Sequence, residues 1–283
     1  MKFDPDLASS ILDSLGAIFG TIHQMLITPT LRTAFAIALV LIIPACSTVN
    51  QDSSSSSPAE ALPLHENLPQ FSNQGSGGIA ASGWSFYRIA PFKKNTVYRL
   101  EKYQGRTVLS ASAKTAASGL AVKLVPRSAQ NWWLRWEWKA TEAISTADNA
   151  DQQNDDAPLR IMVAFDGNKS TLSLKEKMNF ELANLISGQE MPYATLMYIW
   201  SGKTPVDTIL DNARTSRIKM IVVDSGQGHI GEWRLHERDL SADYQKAYGE
   251  APGKIIGVAL LTDTDNTHSE TRAYYGDIEL IRK

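Results

Sequence analysis

Residues 131–140, NWWLRWEWKA, can be folded as a β-strand and as little else. Trp132, Leu134, Trp136 and Trp138 alternate with Trp133, Arg135, Glu137 and Lys139. Successive side chains of a strand point to opposite faces, so one face is wholly apolar and the other carries a ring, a cation, a carboxylate and a second cation. Wound into a helix, the same residues would scatter charges and rings around the whole cylinder. The apolar face is read as core, because burying rings of this size dominates core energetics. Trp133, Arg135 and Glu137 on the other face form a candidate ligand-binding surface, with a plain solvated face as the alternative.

From Phe71 to Lys283 the chain repeats this theme, with short β-rich runs between turn residues. Strands are predicted at Thr96–Lys102, Thr107–Ala113, Leu120–Val125, Trp132–Lys139, Arg160–Asp166, Thr195–Trp200, Ile218–Val223, Ile256–Thr262 and Tyr274–Ile281. Two short helices interrupt them. Ser173-Leu174-Lys175-Glu176 is a capping box, Met178, Leu182, Leu185 and Ile186 make an apolar stripe, and Gly188 stands where a helix stops. The second helix spans Ser241–Tyr248, ended by Gly249. The expected fold is therefore all-β, a jelly-roll-like β-sandwich with two short helical insertions, with an α/β arrangement as the alternative.

The N-terminal part has a different character. Arg32 precedes an apolar run from Ala34 to Ile43, then Pro44-Ala45-Cys46 and the polar stretch STVNQDSSSSSP. The run is about half of the ~20 residues that a spanning helix needs, so it reads as an export signal. Ile43-Pro44-Ala45-Cys46 resembles the bacterial lipobox, with Pro44 departing from the usual small residue, and Cys46 is the only cysteine in the chain. The expected organisation is residues 1–45 as extension and lipoprotein signal, 46–70 as lipidated Cys46 and Ser-rich tether, and 71–283 as the sandwich. Translation from Met25 would give a conventional signal, whereas Met1 adds a weakly amphipathic segment. Ser47 after the cysteine points to a lipid anchor in the outer membrane, facing the periplasm. The net charge of −2 and the lack of a basic stripe exclude nucleic acid as a charge-driven partner.

The segments LRWEW, DDAPLR, LMYIW, VVDSG, GEW, DY, TDTDNT and YYGDI occur in this order across nearly the whole exported part. In that order they resemble the bacterial domain-of-unknown-function family 3047. The resemblance implies no activity. Its C-terminal pattern is similar to that of jelly-roll carbohydrate-binding modules, whose last strand bears an acid where Asp277 stands here.

Candidate chemistry lies in two acidic segments. Asp155 and Asp156 end the polar stretch DNADQQNDD, with Arg160 just beyond, either as a solvated loop or reaching into a cleft. Asp263, Asp265 and Asn266 follow an apolar strand, with Asp277 as a possible companion. Their oxygens suit calcium, yet the Gly and Glu of an EF-hand loop are missing, so the alternatives are another kind of calcium site or an Asx-stabilised turn. No other cofactor is indicated. The histidines show no metal-binding spacing, and there is no nucleophile elbow or phosphate loop. The expected function is a lipid-anchored envelope module that binds a carbohydrate or glycan and assigns no catalytic residue. The alternatives are a glycoside hydrolase or lyase using two of Asp155, Asp156, Asp263 and Asp265, and a structural partner in an envelope complex.

Overall fold

The computed structural model describes residues 63–79 and 82–283. The signal, Cys46, the two possible start sites and most of the tether lie outside the described residues. Among the described residues thirteen strands form two sheets. They are β1 (Leu64–His65), β2 (Ser85–Arg88), β3 (Val97–Tyr103), β4 (Arg106–Lys114), β5 (Ala117–Ser128), β6 (Trp132–Ala140), β7 (Ala157–Phe165), β8 (Ala194–Ser201), β9 (Ile209–Asn212), β10 (Thr215–Ser225), β11 (Arg234–Asp239), β12 (Lys254–Asp263) and β13 (Glu270–Arg282). The larger sheet runs β1-β5-β12-β7-β8-β10-β9 with β2 also on β5, and the smaller runs β11-β6-β13-β4-β3. From β4 to β7, and again from β12 to β13, successive strands alternate between sheets, which is the jelly-roll pattern. The fold is an all-β sandwich with two helices. Among the described residues only β8–β10 and β1–β5 pair in parallel.

β6 obeys its alternation. Leu134, Trp136 and Trp138 have no exposed surface, while Trp132 is half-buried at the rim of the same core. Trp136 meets Trp138 edge-on at 5.5 Å and lies 5.0 Å from Tyr198 of β8 in the opposite sheet. The folded unit starts earlier than residue 71, because β1 pairs with β5 and Leu68 joins the core.

Strands β2, β9 and β11, as well as β1, are additional to those expected. β11 reads RLHERD, an edge strand with a charge at almost every position, so it carries no apolar alternation.

Helix α1 (Leu174–Ser187) has the expected ends: Ser173 Oγ accepts from the Glu176 N–H, and Gly188 takes the left-handed conformation at φ 68°. Its orientation differs from that of an ordinary surface helix. The Glu176 carboxylate accepts from Thr215 Oγ1, Ser216 N and Ser216 Oγ, and Asn179 Nδ2 donates to the Arg214 carbonyl. Phe180 is the buried residue of the helix, and the apolar stripe faces outward. Helix α2 (Leu240–Tyr248) is capped by Asp239 and buries Leu240, Asp243 and Tyr244. No helix among the described residues is long and apolar enough to cross a membrane.

Candidate functional site

The outer face of the smaller sheet is built around β6. Antiparallel pairing sets Glu237 of β11 and Glu279 of β13 on either side of Arg135, and Ile281 beside Trp133. Arg135 binds Glu237 through Nε at 2.6 Å and approaches Glu279 at 3.9 Å. Lys283 pairs with Glu237 and holds its ammonium 4.2 Å from the Trp133 ring. Hydrogen bonds from Lys283 and Arg135 hold the Glu237 carboxyl below its usual range.

Next along β6, Glu137 pairs with Arg106, whose guanidinium lies 4.4 Å from the Trp233 ring. The β13 ladder bulges between Tyr275 and Ile278, and a Cβ on Gly276 would lie 2.4 Å from the Glu137 side chain. Glycine at that bulge makes room for the carboxylate. Lys139 then donates to Tyr103 Oη at 2.9 Å, beside a cluster in which Tyr103 lies 5.9 Å from Trp233 and 4.9 Å from Tyr274. The outcome is a stripe of rings and ion pairs about 20 Å long, from Trp133 to Lys139. Sequence reading found its β6 members and missed Tyr103, Arg106, Trp233 and Tyr274. A signal existed for two of them. Gln104 and Gly105 both have positive φ and form a two-residue hairpin turn, which puts Tyr103 opposite Arg106.

The acidic segments converge elsewhere. Asp263 ends β12 and Asp155 and Asp156 precede β7, its antiparallel neighbour. Arg160 is 2% exposed; it binds Asp263 through Nε at 3.1 Å and Asp155 through Nη2 at 2.8 Å, while Nη1 rests against the sulfurs of Met197 and Met220. The Asp156 carboxylate accepts from the backbone N–H of Asn266 and Thr267 and from Thr267 Oγ1. Asp265 pairs with Lys93 at 2.5 Å. One oxygen from each of Asp156, Asp263 and Asp265 lies within 4.8 Å of the others. Lys93, Asn149 and Thr267 complete the cluster; Asn149 and Thr267 lie in the two polar segments singled out in the sequence, and nothing in the sequence pattern marked Lys93.

Burial raises the Asp263 carboxyl to about 7; Arg160 pulls it down, and the carboxylates of Asp155 and Asp156 push it up again. Burial also opposes the charge on Arg160, but Asp155 and Asp263 more than offset it and raise its pKa. Desolvation thus outweighs the one guanidinium present and disfavours the ionised form of Asp263. The arrangement acts as a clamp: it ties the 148–156 loop and the 264–267 turn to the end of the larger sheet. Asp156 and Asp263 are buried and turned toward protein donors, not toward an open cleft. The residues weighed for calcium, Asp263, Asp265 and Asn266, belong to this clamp, where Arg160 and Lys93 already supply positive charge.

The acidic cluster and Trp133 do not share a site. β13 pairs with β6 from Ala273 at Ala140 to Ile281 at Trp133, and the acidic turn leads into the Ala273 end. Seven residues of strand, roughly 23 Å, separate these ends. Nor does Asp277 accompany Asp263 and Asp265. It sits at the β13 bulge and accepts from the Ser72 N–H at 2.9 Å.

A third polar group spans the core. Asp224 of β10, 1% exposed, accepts from Trp138 Nε1 and His236 Nε2, each at 2.7 Å, and from Arg234 Nε at 3.1 Å. Burial works against its charge, yet hydrogen bonds from His236 and Trp138 win and hold the carboxyl below its ordinary value.

No curated protein matches the chain. Solved structures resemble it at low scores. A β-1,2-glucanase from Parabacteroides distasonis shares 13% identity, with 78% of this chain and 25% of the other covered and a TM-score of 0.33. SGBP-B from a complex xyloglucan utilization locus in Bacteroides uniformis gives 10%, 74%, 49% and 0.30 for the same quantities. The xyloglucanase domain of NopAA, a type three effector from Sinorhizobium fredii, in complex with cellobiose, gives 5%, 74%, 100% and 0.35. The chain spans a quarter of the first and about half of the second. The family model described as Protein of unknown function (DUF3047) matches residues 82–279, and the chain belongs to that family.

Proposed function

We propose that the protein is a binding module of the bacterial envelope, lipid-anchored through Cys46 in the outer membrane, that holds a carbohydrate on the outer face of its smaller sheet. The observation that carries this reading is the stripe along β6, where Trp133, Trp233 and Tyr103 alternate with paired charges on a face that has no core to cover. A sugar offers an apolar ring face and a rim of hydroxyls, so it needs flat aromatic surface and fixed hydrogen-bonding groups side by side. Arg135, Glu137, Arg106 and Lys139 are held by their partners before any ligand arrives, which lowers the ordering cost of binding. Ligand hydroxyls would bond to charged groups, the stronger kind of hydrogen bond. Binding is favoured over turnover because Asp156 and Asp263 are sequestered in the clamp.

The test is a glycan array with wild type, Trp133→Ala and Trp233→Ala, scored together with release of reducing ends. Wild type should bind a defined set of glycans and release no sugar, and the variants should lose at least ten-fold in affinity while remaining folded. Cleavage that disappears in an Asp155 or Asp265 variant would replace this reading with the hydrolase. Absence of binding across a broad array would leave the structural-partner role.

A further inference from the structure

The two ends of the β6 stripe differ in how their charges are matched. At the Trp133 end Arg135 and Lys283 both pair with Glu237, and Glu279 lies beside Arg135 as well. At the other end the rings of Tyr103, Trp233 and Tyr274 have their centroids within 6.4 Å of one another, and each carries a cation. Arg106 stands 4.4 Å from Trp233, Arg272 5.3 Å from Tyr274 and the Lys139 ammonium 5.2 Å from Tyr103. Arg106 is paired with Glu137, and Arg272 with Glu101. Lys139 is different: it donates to the neutral Tyr103 hydroxyl at 2.9 Å, and among the described residues no carboxylate pairs with it. Arg99, exposed on β3 in the same cross-strand row as Lys139, Tyr274 and Ser110, is a further cation without such a partner. The remaining acids of this end, Glu142 and Glu232, are exposed to water, and Glu232 is bonded to His229.

The hydrogen-bonding capacity left over at this end is that of donors. An ammonium has three N–H groups, and Lys139 gives one to Tyr103. The Tyr103 oxygen accepts that bond and keeps its own O–H to give. Trp233 Nε1 is buried without an acceptor, and an indole can only donate. Burial raises the Tyr274 phenol above its ordinary value, against the pull of Arg272 and Lys139, so it too retains its proton. A sugar hydroxyl answers a donor with one oxygen but brings a hydrogen that needs an acceptor in turn. A carboxylate or sulfate brings oxygens alone, and its bond to an ammonium is of the stronger, charge-assisted kind. We infer that the Lys139 end of the stripe is a subsite for a negatively charged sugar, a uronate or a sulfated residue, whose anionic group binds Lys139 beside the Tyr103, Tyr274 and Trp233 rings. The inference rests on the carbohydrate reading above and adds to it the class of saccharide.

The test measures the affinity of the full chain for fragments of polygalacturonate, alginate and hyaluronan, each beside the same fragment with its carboxylates reduced to primary alcohols, and for dextran sulfate beside dextran. Wild type should bind at least one charged fragment about ten-fold or more tightly than its neutral counterpart, and the ratio should fall as salt is raised. Lys139→Met keeps an unbranched stem without the charge and should bring the ratio near one, while Lys139→Arg should keep most of it. Superimposable thermal melts show that both variants are folded. A Lys139-dependent preference for dextran sulfate, with none for a uronate, would assign the anion as a sulfate ester. Equal binding of charged and neutral fragments overturns the inference and leaves the carbohydrate reading in place. A preference that survives Lys139→Met also overturns it, because the anion would then be held elsewhere. Absence of binding to every fragment and across the glycan array overturns both.

Discussion

Trp138 Nε1 donates to the buried Asp224 carboxylate at 2.7 Å, and this bond joins β6 of the smaller sheet to β10 of the larger through the core. Asp224→Ala would leave three donors, Trp138, His236 and Arg234, without their shared acceptor, and two of them are largely buried. The expected loss is about 3–5 kcal/mol, whereas Trp138→Phe, which removes one donor and little volume, should cost roughly half as much. Urea melts of both variants check the order; equal losses would mean that ring volume and not the carboxylate governs this part of the core.

Position along β6 predicts opposite consequences for adjacent faces. Trp136→Ala should cost about 3 kcal/mol or more through cavity formation, while Trp133→Ala should cost under about 1 kcal/mol and reduce ligand binding. Chemical denaturation read beside the glycan array separates the two effects.

Asp263 gives a pH signature. An unfolded Asp titrates near ~3.9, and the folded Asp263 carboxyl is raised to about 7 by burial. The folded state therefore binds more protons between those values. Its contribution to stability is complete below about pH 4 and is lost as pH rises through 7, by at most on the order of 4 kcal/mol. Asp263→Asn should flatten the fall in stability between pH 4.5 and 7.5. Parallel slopes in wild type and variant would show that the clamp's carboxyl is ionised throughout.

Gly276→Ala tests the ion-pair stripe. The added methyl meets the flexible Glu137 side chain, which can swing aside, so stability should change by about 1 kcal/mol or less. Glu137 would then leave Arg106, and glycan affinity should fall several-fold. An unchanged affinity would remove Glu137 from the binding face.

For the anchor, Cys46→Ser should abolish incorporation of labelled fatty acid and shift the protein to a soluble or unprocessed form. Label retained by the variant would refute acylation at Cys46.

The strand pattern was legible wherever one face met a core, because burial enforces a period of two. β6 shows this plainly. β11 was invisible, since RLHERD satisfies its ladder with backbone and spends its side chains on Asp224, Arg135 and Asp243, leaving no apolar rhythm. Helix α1 was legible in its ends and misleading in its face. Capping is local, but whether Glu176 reaches Thr215 depends on a turn 39 residues away. The acidic residues were recognisable as a group. Their separation from Trp133 was not, because only register reveals which ends of two strands coincide. Asp277 was misplaced by a bulge, which no alternation pattern records.

The order of the strands also bears on how the molecule comes into being. β12 lies between β5 and β7, and β13 lies between β4 and β6. The last two strands to emerge are thus central in their sheets, and the earlier ones cannot pair across the gaps they leave. A chain appearing from its N-terminus gains no complete sheet until its final thirty or so residues are free, and contacts that distant in sequence form slowly. A nascent or truncated form would expose unpaired strand edges in both sheets at once.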